Sequence, residues 1–438
     1  MPKIRLCLLV AFALFFINSN ANAQRSAIDT YAITNARIVT VSGPVIERGT
    51  VVVRNGLIAA AGANVSAPPD ARVIDGTGLT VYPGLIDSYT NLALPEAAPS
   101  PSPGGAPPRP AAPGPNSTQP PGLQPEVMVE DVIRPGGNEI EASRNTGITT
   151  ALTSARTGIW MGQSALINLT GDTPQQMIVR SPIAMHVSFT PLRTGGYPGS
   201  LLGVFAALRQ MMRDAQRYRD SMQIYERAPR GMRRPDTDRS LAALVPVIEG
   251  RMPVVMLANS EREISRALDL AEEFKLRLVI AGGREADRVA DRLAKQKVPV
   301  LLSLNLPKRT TAAIPEADPE PLRVLRERVE AQQTAGKLAK AGVRFAFQSG
   351  SLTNMSDLLA NASRTIENGL SQTDALRAFT IWPAEILGVQ NQLGSIEAGK
   401  IANLTVVRGD LFDRNGRVTH VFIDGRPFEI KPPQESKQ

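Results

Sequence analysis

Through the middle of this chain, short and continuously apolar runs alternate with longer stretches of helical texture, and that alternation restricts the fold most strongly. Val81–Ser88, Ile148–Leu152, Pro253–Leu257, Leu276–Ala281, Val298–Ser303 and Val343–Phe347 are the apolar runs. Glu261–Phe274, Glu285–Lys295 and Pro321–Ala341 separate the later ones and read as helices. Strand alternating with helix implies a parallel sheet with helical crossovers, because parallel neighbours cannot be joined by a tight turn. Strands apolar on both faces suit the interior of a barrel. The expected class is therefore α/β.

Both ends of the chain have a different texture. Tyr31–Val41, Gly49–Gly62, Val73-Ile74 and Leu79–Tyr82 are β-type runs near the start, with Asn55-Gly56 as a hairpin turn. Ala402–Val407 and Val418–Ile423 repeat the pattern near the end, and Asp424-Gly425 turns into Arg426-Pro427-Phe428. The two distant pieces, 24–80 and 391–430, are expected to build one small β-sandwich around a barrel at 81–390, with 431–438 as a tail.

Two segments interrupt this plan. Leu94–Pro125 is crowded with proline and is expected to be a disordered or polyproline insertion. It follows the first barrel strand, where a lid would stand; a tolerated surface insertion is the preferred reading. Leu201–Arg234 reads as a long arginine-rich helix. A docking surface for an acidic partner is one reading of it; a solvated helix face and linker is the favoured one.

The chain has 438 residues, 42% of them hydrophobic, enough for a large barrel with an accessory module. Lys3 and Arg5, the apolar run Leu6–Ile17 and the small-residue site Ala21-Asn22-Ala23 form an expected signal peptide over residues 1–23. A periplasmic or secreted protein is expected, with no transmembrane segment. The single cysteine, Cys7, lies in that leader, so the mature chain offers no disulfide, thiolate nucleophile or cysteine metal site. The net charge of +8 favours acidic partners. No basic platform interleaved with aromatics is present, so nucleic acid is not an expected partner.

The order of motifs resembles the amidohydrolase superfamily, in its imidazolonepropionase and prolidase-like branch. Val52–Ile58 with Gly62, Val81-Tyr82-Pro83-Gly84-Leu85-Ile86-Asp87, Gly147-Ile148-Thr149-Thr150, Ala375–Thr380 followed by Pro383–Gly388, and Leu393–Lys400 carry the resemblance in order along nearly the whole mature chain. It implies a TIM-like (β/α)8 barrel framed by a β-sandwich from both chain ends. It also implies hydrolysis of non-peptide C–N bonds in cyclic amides, lactams or dipeptide-like substrates, with bound zinc or a similar ion. Such chemistry needs metal-bound water of lowered pKa and a polarised carbonyl. The family's ligands are a His-x-His pair after the first strand, histidines after strands five and six, often a lysine after strand four, and an aspartate after strand eight.

None of these side chains stands at the matching position. The pair falls on Tyr89 and Asn91, beyond Asp87; the strand-five position on Leu257; the strand-six position on Gly282; the strand-eight position on Gly350. No lysine lies between Lys3 and Lys275, and Asn403 stands where the C-terminal β-region usually has aspartate. The chain has two histidines, His186 and His420. His420 is expected far from a barrel mouth. His186 is expected at a strand end, more readily as a hydrogen-bonded core histidine than as an active-site remnant. Asp87, Tyr89 and Asn91 as ligands of a hard cation, or a serine nucleophile in Ser349-Gly350-Ser351, are weaker alternatives.

The expected function follows. The chain reads as an exported pseudoenzyme of this superfamily, with no cofactor. It would act as a partner subunit of an active paralogue, as a homo-oligomer, or as a binder of a small molecule in the old pocket. Asp87, Tyr89, Asn91, His186, Leu257, Gly282 and Gly350 are the candidate pocket residues. The rival is a hydrolase with an atypical site.

Overall fold

The computed structural model describes residues 30–95, 119–192, 197–309, 320–350 and 352–430. The expected signal peptide, most of the proline-rich insertion, Ser351 and the tail lie outside the described residues. The chain opens with β1 (Tyr31–Ile38), β2 (Ile46–Arg54), β3 (Leu57–Gly62), β4 (Arg72–Asp75) and β5 (Leu79–Pro83). Then come β6 (Leu85–Thr90), β7 (Ile148–Thr153), β8 (Trp160–Gln163), β9 (Ala165–Asn168), β10 (Ile178–Arg180) and β11 (Met185–Ser188). β12 (Val254–Ala258), β13 (Leu278–Gly282), β14 (Val300–Ser303) and β15 (Phe345–Gln348) alternate with helices. β16 (Leu404–Arg408), β17 (Arg417–Ile423) and β18 (Arg426–Glu429) complete the series.

The two β-rich ends meet in one eight-stranded sheet of order β18-β17-β16-β5-β1-β2-β3, with β4 beside β1. Asn55 and Gly56 join β2 to β3 with φ of 53° and 79°, the pair of positive values that a two-residue hairpin turn demands. β16 runs antiparallel to β5, with Val406 opposite Val81, and this pairing joins the late piece to the early one. Ile33, Val51, Val53, Ile58, Val81, Leu404, Val406 and Phe422 form its buried core.

Strands β11 to β15 are parallel and in register through Ser188, Leu257, Ala281, Leu301 and Ala346. Residues paired across parallel strands face the same side, so this row is one layer of the barrel interior. β6 and β7 are also parallel, and Ser88 Oγ donates to the Phe347 carbonyl at 2.7 Å across the seam between β6 and β15. One position departs from the eightfold plan: β9 runs antiparallel to β7, and β8 antiparallel to β11, so a reversed segment fills the place of a parallel strand. Gly84, at the β5–β6 junction, is a glycine of necessity: a Cβ there would collide with the Thr149 hydroxyl of β7. Asn403 fastens barrel to sheet. Its Nδ2 donates to Thr150 Oγ1 at 2.8 Å and to Asn168 Oδ1 at 2.7 Å, and its Oδ1 accepts from Asp424 N at 2.8 Å.

The helix at Glu261–Phe274 has the expected bounds, set by a reciprocal cap between Ser260 and Glu263. Three expectations need correction. The helix read at Glu285–Lys295 is a single turn, Ala286–Val289, followed by a helix at Ala290–Gln296, because Val289 leaves helical backbone at φ −119°. The arginine-rich helix ends at Arg227 rather than Arg234, since Pro229 disfavours helix at the residue before it. Val204, Phe205, Leu208, Met211 and Met212 form its buried face, and Arg209 and Arg213 both bind Glu273 on the neighbouring helix. The end of the proline-rich insertion is held in place. Leu123 is buried, the Gly122 carbonyl accepts from Ile159 N and Trp160 N at 2.8 and 3.1 Å, and the Pro125 carbonyl accepts from Gln163 Nε2 at 3.2 Å. Backbone carbonyls do not need a proline N–H to dock along β8. No helix among the described residues is long and apolar enough to cross a membrane.

Candidate functional site

The C-terminal ends of the barrel strands surround a cavity of about 280 Å³. Tyr89 reaches it from the end of β6, Leu257 and Asn259 from β12, and Ala281 and Gly282 from β13. Leu302, Ser303 and Asn305 come from β14, Gln348 and Gly350 from β15, and Arg156 and Arg284 from loops. Four of the candidates read from the sequence therefore come together: Tyr89, Leu257, Gly282 and Gly350 line one space.

The other three do not line it. Asn91 is exposed, because the pairing of β6 with β7 slips between Asp87 and Thr90 and the strand ends before residue 91. His186 is fully buried, and its ring stacks on Tyr89 at 5.5 Å between centroids and 23° between planes. It is a core histidine, and among the described residues neither ring nitrogen has a hydrogen-bond partner. It also sits inside β11 rather than at the strand end. Burial without a partner penalises the imidazolium and pushes its pKa down to about 3. Asp87 is also fully buried, and its Oδ1 accepts from Ser349 N at 3.0 Å and Tyr89 N at 3.3 Å while Oδ2 has no partner. Burial raises its carboxyl to about 6 against those hydrogen bonds. Burial lifts the Tyr89 hydroxyl to about 12, against the lowering pull of the Arg156 charge and the Ser154 side chain. His420 lies on β17, away from the barrel mouth.

Two glycines stand at positions where the resemblance implies ligands. Gly282 has φ +100°, and a Cβ built on it would stand 2.5 Å from Asn259 Oδ1. Gly350 has φ +54°, and its Cβ would stand 2.7 Å from Gln348 Oε1 and 3.3 Å from Ser303 Oγ. At both positions a neighbouring carboxamide already occupies the room that a ligating side chain would need. Arg156 donates to the Gly350 carbonyl, tying the loop after β7 to the end of β15. Arg284 pairs with Glu327 at 2.9 Å.

A zinc-like ion needs imidazole or carboxylate donors. Tyr89, Leu257, Gly282 and Gly350 supply a phenol, a hydrocarbon and two bare backbones, which do not fit it. Among the described residues, no three His, Cys, Asp or Glu side chains come together as a metal site. Of the nearby carboxylates, Glu285 accepts from Glu261 N at 2.8 Å, and Asp357 pairs with Lys308 at 2.7 Å. Of the serines at 349 and 351, Ser349 is buried with its amide on Asp87, and Ser351 is outside the described residues. Sequence reasoning missed Asn259, Ser303, Asn305 and Gln348. Their only signal was position, since each closes or follows an apolar strand.

A model of the amidohydrolase family matches residues 247–428. Among curated proteins, dihydropyrimidinase 1 of Caenorhabditis elegans is 40% identical over 63 residues, 14% of this chain and 12% of that protein. Imidazolonepropionase of Mesorhizobium japonicum is 40% identical over 67 residues, 13% of this chain and 16% of that protein. The matches thus span a small part of these relatives. An amidohydrolase structure from Thermotoga maritima aligns at 25% identity and a TM-score of 0.75, covering 91% of this chain and all (100%) of that one. A prolidase complexed with N-methylphosphonate-L-proline aligns at 18% identity and 0.53, covering 92% and 100%, a likeness of fold.

Proposed function

We propose that this chain, which belongs to the amidohydrolase superfamily, is a non-catalytic member that binds a small molecule at its barrel mouth. The observation that carries this reading is the replacement of ligand positions by side chains that fill them. Tyr89, Leu257, Gly282 and Gly350 stand around one cavity, and Asn259 and Gln348 take the space beside the two glycines. A hydrolytic water needs activation, by an ion or by a base near the operating pH. His186 is buried behind Tyr89 and Asp87 is held by backbone amides, so neither reaches the cavity. What remains is a space of small-ligand size, with an apolar wall from Leu257, Ala281, Leu302 and Leu306 and a polar rim.

The test is turnover. Purified protein is offered a panel of lactams, linear amides and dipeptides, with and without added zinc or manganese and with chelator. The reading predicts no hydrolysis above the buffer rate in any arm. Turnover that zinc raises and chelator abolishes would establish the rival reading, a hydrolase with an atypical site.

A further inference from the structure

We infer that Gln348 is the specificity-determining residue of the cavity, and that it selects a neutral ligand presenting an N–H donor. This rests on the reading of the cavity as a binding site. The side chain of Gln348 is 3% exposed and lines the cavity at the end of β15. Its Nε2 donates to the Leu301 carbonyl of β14 at 2.8 Å. That bond fixes the carboxamide: turned over, it would set oxygen against oxygen. Oε1 is therefore committed as an acceptor.

The surroundings are built around that oxygen. Gly350 has no side chain, and the Cβ of any other residue there would approach Oε1 to 2.7 Å. Ser303 Oγ lies on the same side of Gly350 and accepts from Asn305 N at 3.2 Å. A ligand that covers Gln348 without offering a donor would bury an acceptor unpaired, at a cost of about 1–3 kcal/mol, or roughly five- to 150-fold in affinity. The donor is not expected to be an ammonium. Among the described residues, the cavity lining includes two guanidinium groups, Arg156 and Arg284, and no carboxylate, and like charges in a confined space repel. A carboxamide or urea-type N–H satisfies both conditions.

The probes are N-methylacetamide, which has an N–H, and N,N-dimethylacetamide, which lacks one and carries one more methyl group. Binding is followed by ligand-observed NMR on the whole mature chain. The wild-type protein should take the first about tenfold more tightly than the second. Gln348→Met, checked to be folded by a single cooperative unfolding transition well above the assay temperature, should lose that preference while still binding the tertiary amide. Equal binding of the two amides to wild type, including no binding of either, overturns the assignment; so does a preference that survives in Gln348→Met. Neither result depends on turnover or metal content; binding of neither amide counts against the binding-site reading as well, whereas equal measurable binding of both overturns the selectivity alone.

Discussion

Placing an aspartate at position 350 should destabilise the protein and should not create a metal site. The backbone at Gly350 has φ +54°, which costs a residue with a Cβ about 1 kcal/mol. The new Cβ would stand 2.7 Å from Gln348 Oε1, where ordinary contact begins near 3.4 Å, so the carboxamide must move. Moving it breaks the 2.8 Å bond from Gln348 Nε2 to the Leu301 carbonyl, worth about 1 kcal/mol net. Placing a carboxylate against Ser303 and Gln348 adds about 1 kcal/mol of desolvation. Gly350→Asp should therefore lose about 3 kcal/mol, and Gly350→Ala about 2 kcal/mol, since alanine brings strain and collision without charge. Urea unfolding with a common slope measures both. A Gly350→Asp protein with an unchanged midpoint would refute the claim that Gln348 occupies the ligand's room. Alanine as well tolerated as glycine would show that the collision is relieved without cost.

Three further outcomes are expected. Burial holds His186 down to about 3 and Asp87 up to about 6, against ordinary values of 6.5 and 3.8. Between about pH 4 and 6 the unfolded chain binds the histidine proton and the folded chain binds the aspartate proton, so their opposite slopes cancel. Asp87→Asn leaves the histidine slope alone, and stability relative to wild type should fall by about 1 kcal/mol per pH unit as pH drops from 6 to 4, read by urea unfolding at each pH. A parallel pair of curves would show that these two groups do not titrate as described. Asn403→Ala removes three short buried hydrogen bonds and should cost about 3 kcal/mol in the same assay; less than about 1 would mean the barrel and sheet are joined otherwise. In a bacterial host, intact mass of the exported protein should correspond to a chain beginning at Gln24, and an uncleaved cytoplasmic product would refute the leader reading.

The sequence announced the fold more fully than the site. Period and turn chemistry are local, so Asn55-Gly56, the helix at Glu261–Phe274 and the apolar strands could be read directly. The reversed strands β8 and β9 could not, because Trp160–Gln163 and Ala165–Asn168 are short apolar runs whose direction is set only by their neighbours. Four of the positions matched along the motifs, Tyr89, Leu257, Gly282 and Gly350, lie around one cavity. Asn91 does not, because the slip of register in β6 is a tertiary effect that alternation does not reveal. Asn259 and Gln348 were invisible for another reason: a carboxamide at a strand end carries no signature until the glycines beside it show what fills their space.

The central claim is that this barrel mouth holds no catalytic metal, and metal stoichiometry tests it most directly. The protein is expressed in medium supplemented with zinc, manganese and iron, purified without chelator, and measured by inductively coupled plasma mass spectrometry. The account predicts far less than one equivalent of any divalent metal, unchanged by Tyr89→Phe or Gly350→Ala. One tightly held equivalent, lost when Tyr89 or Asp87 is replaced, would contradict it.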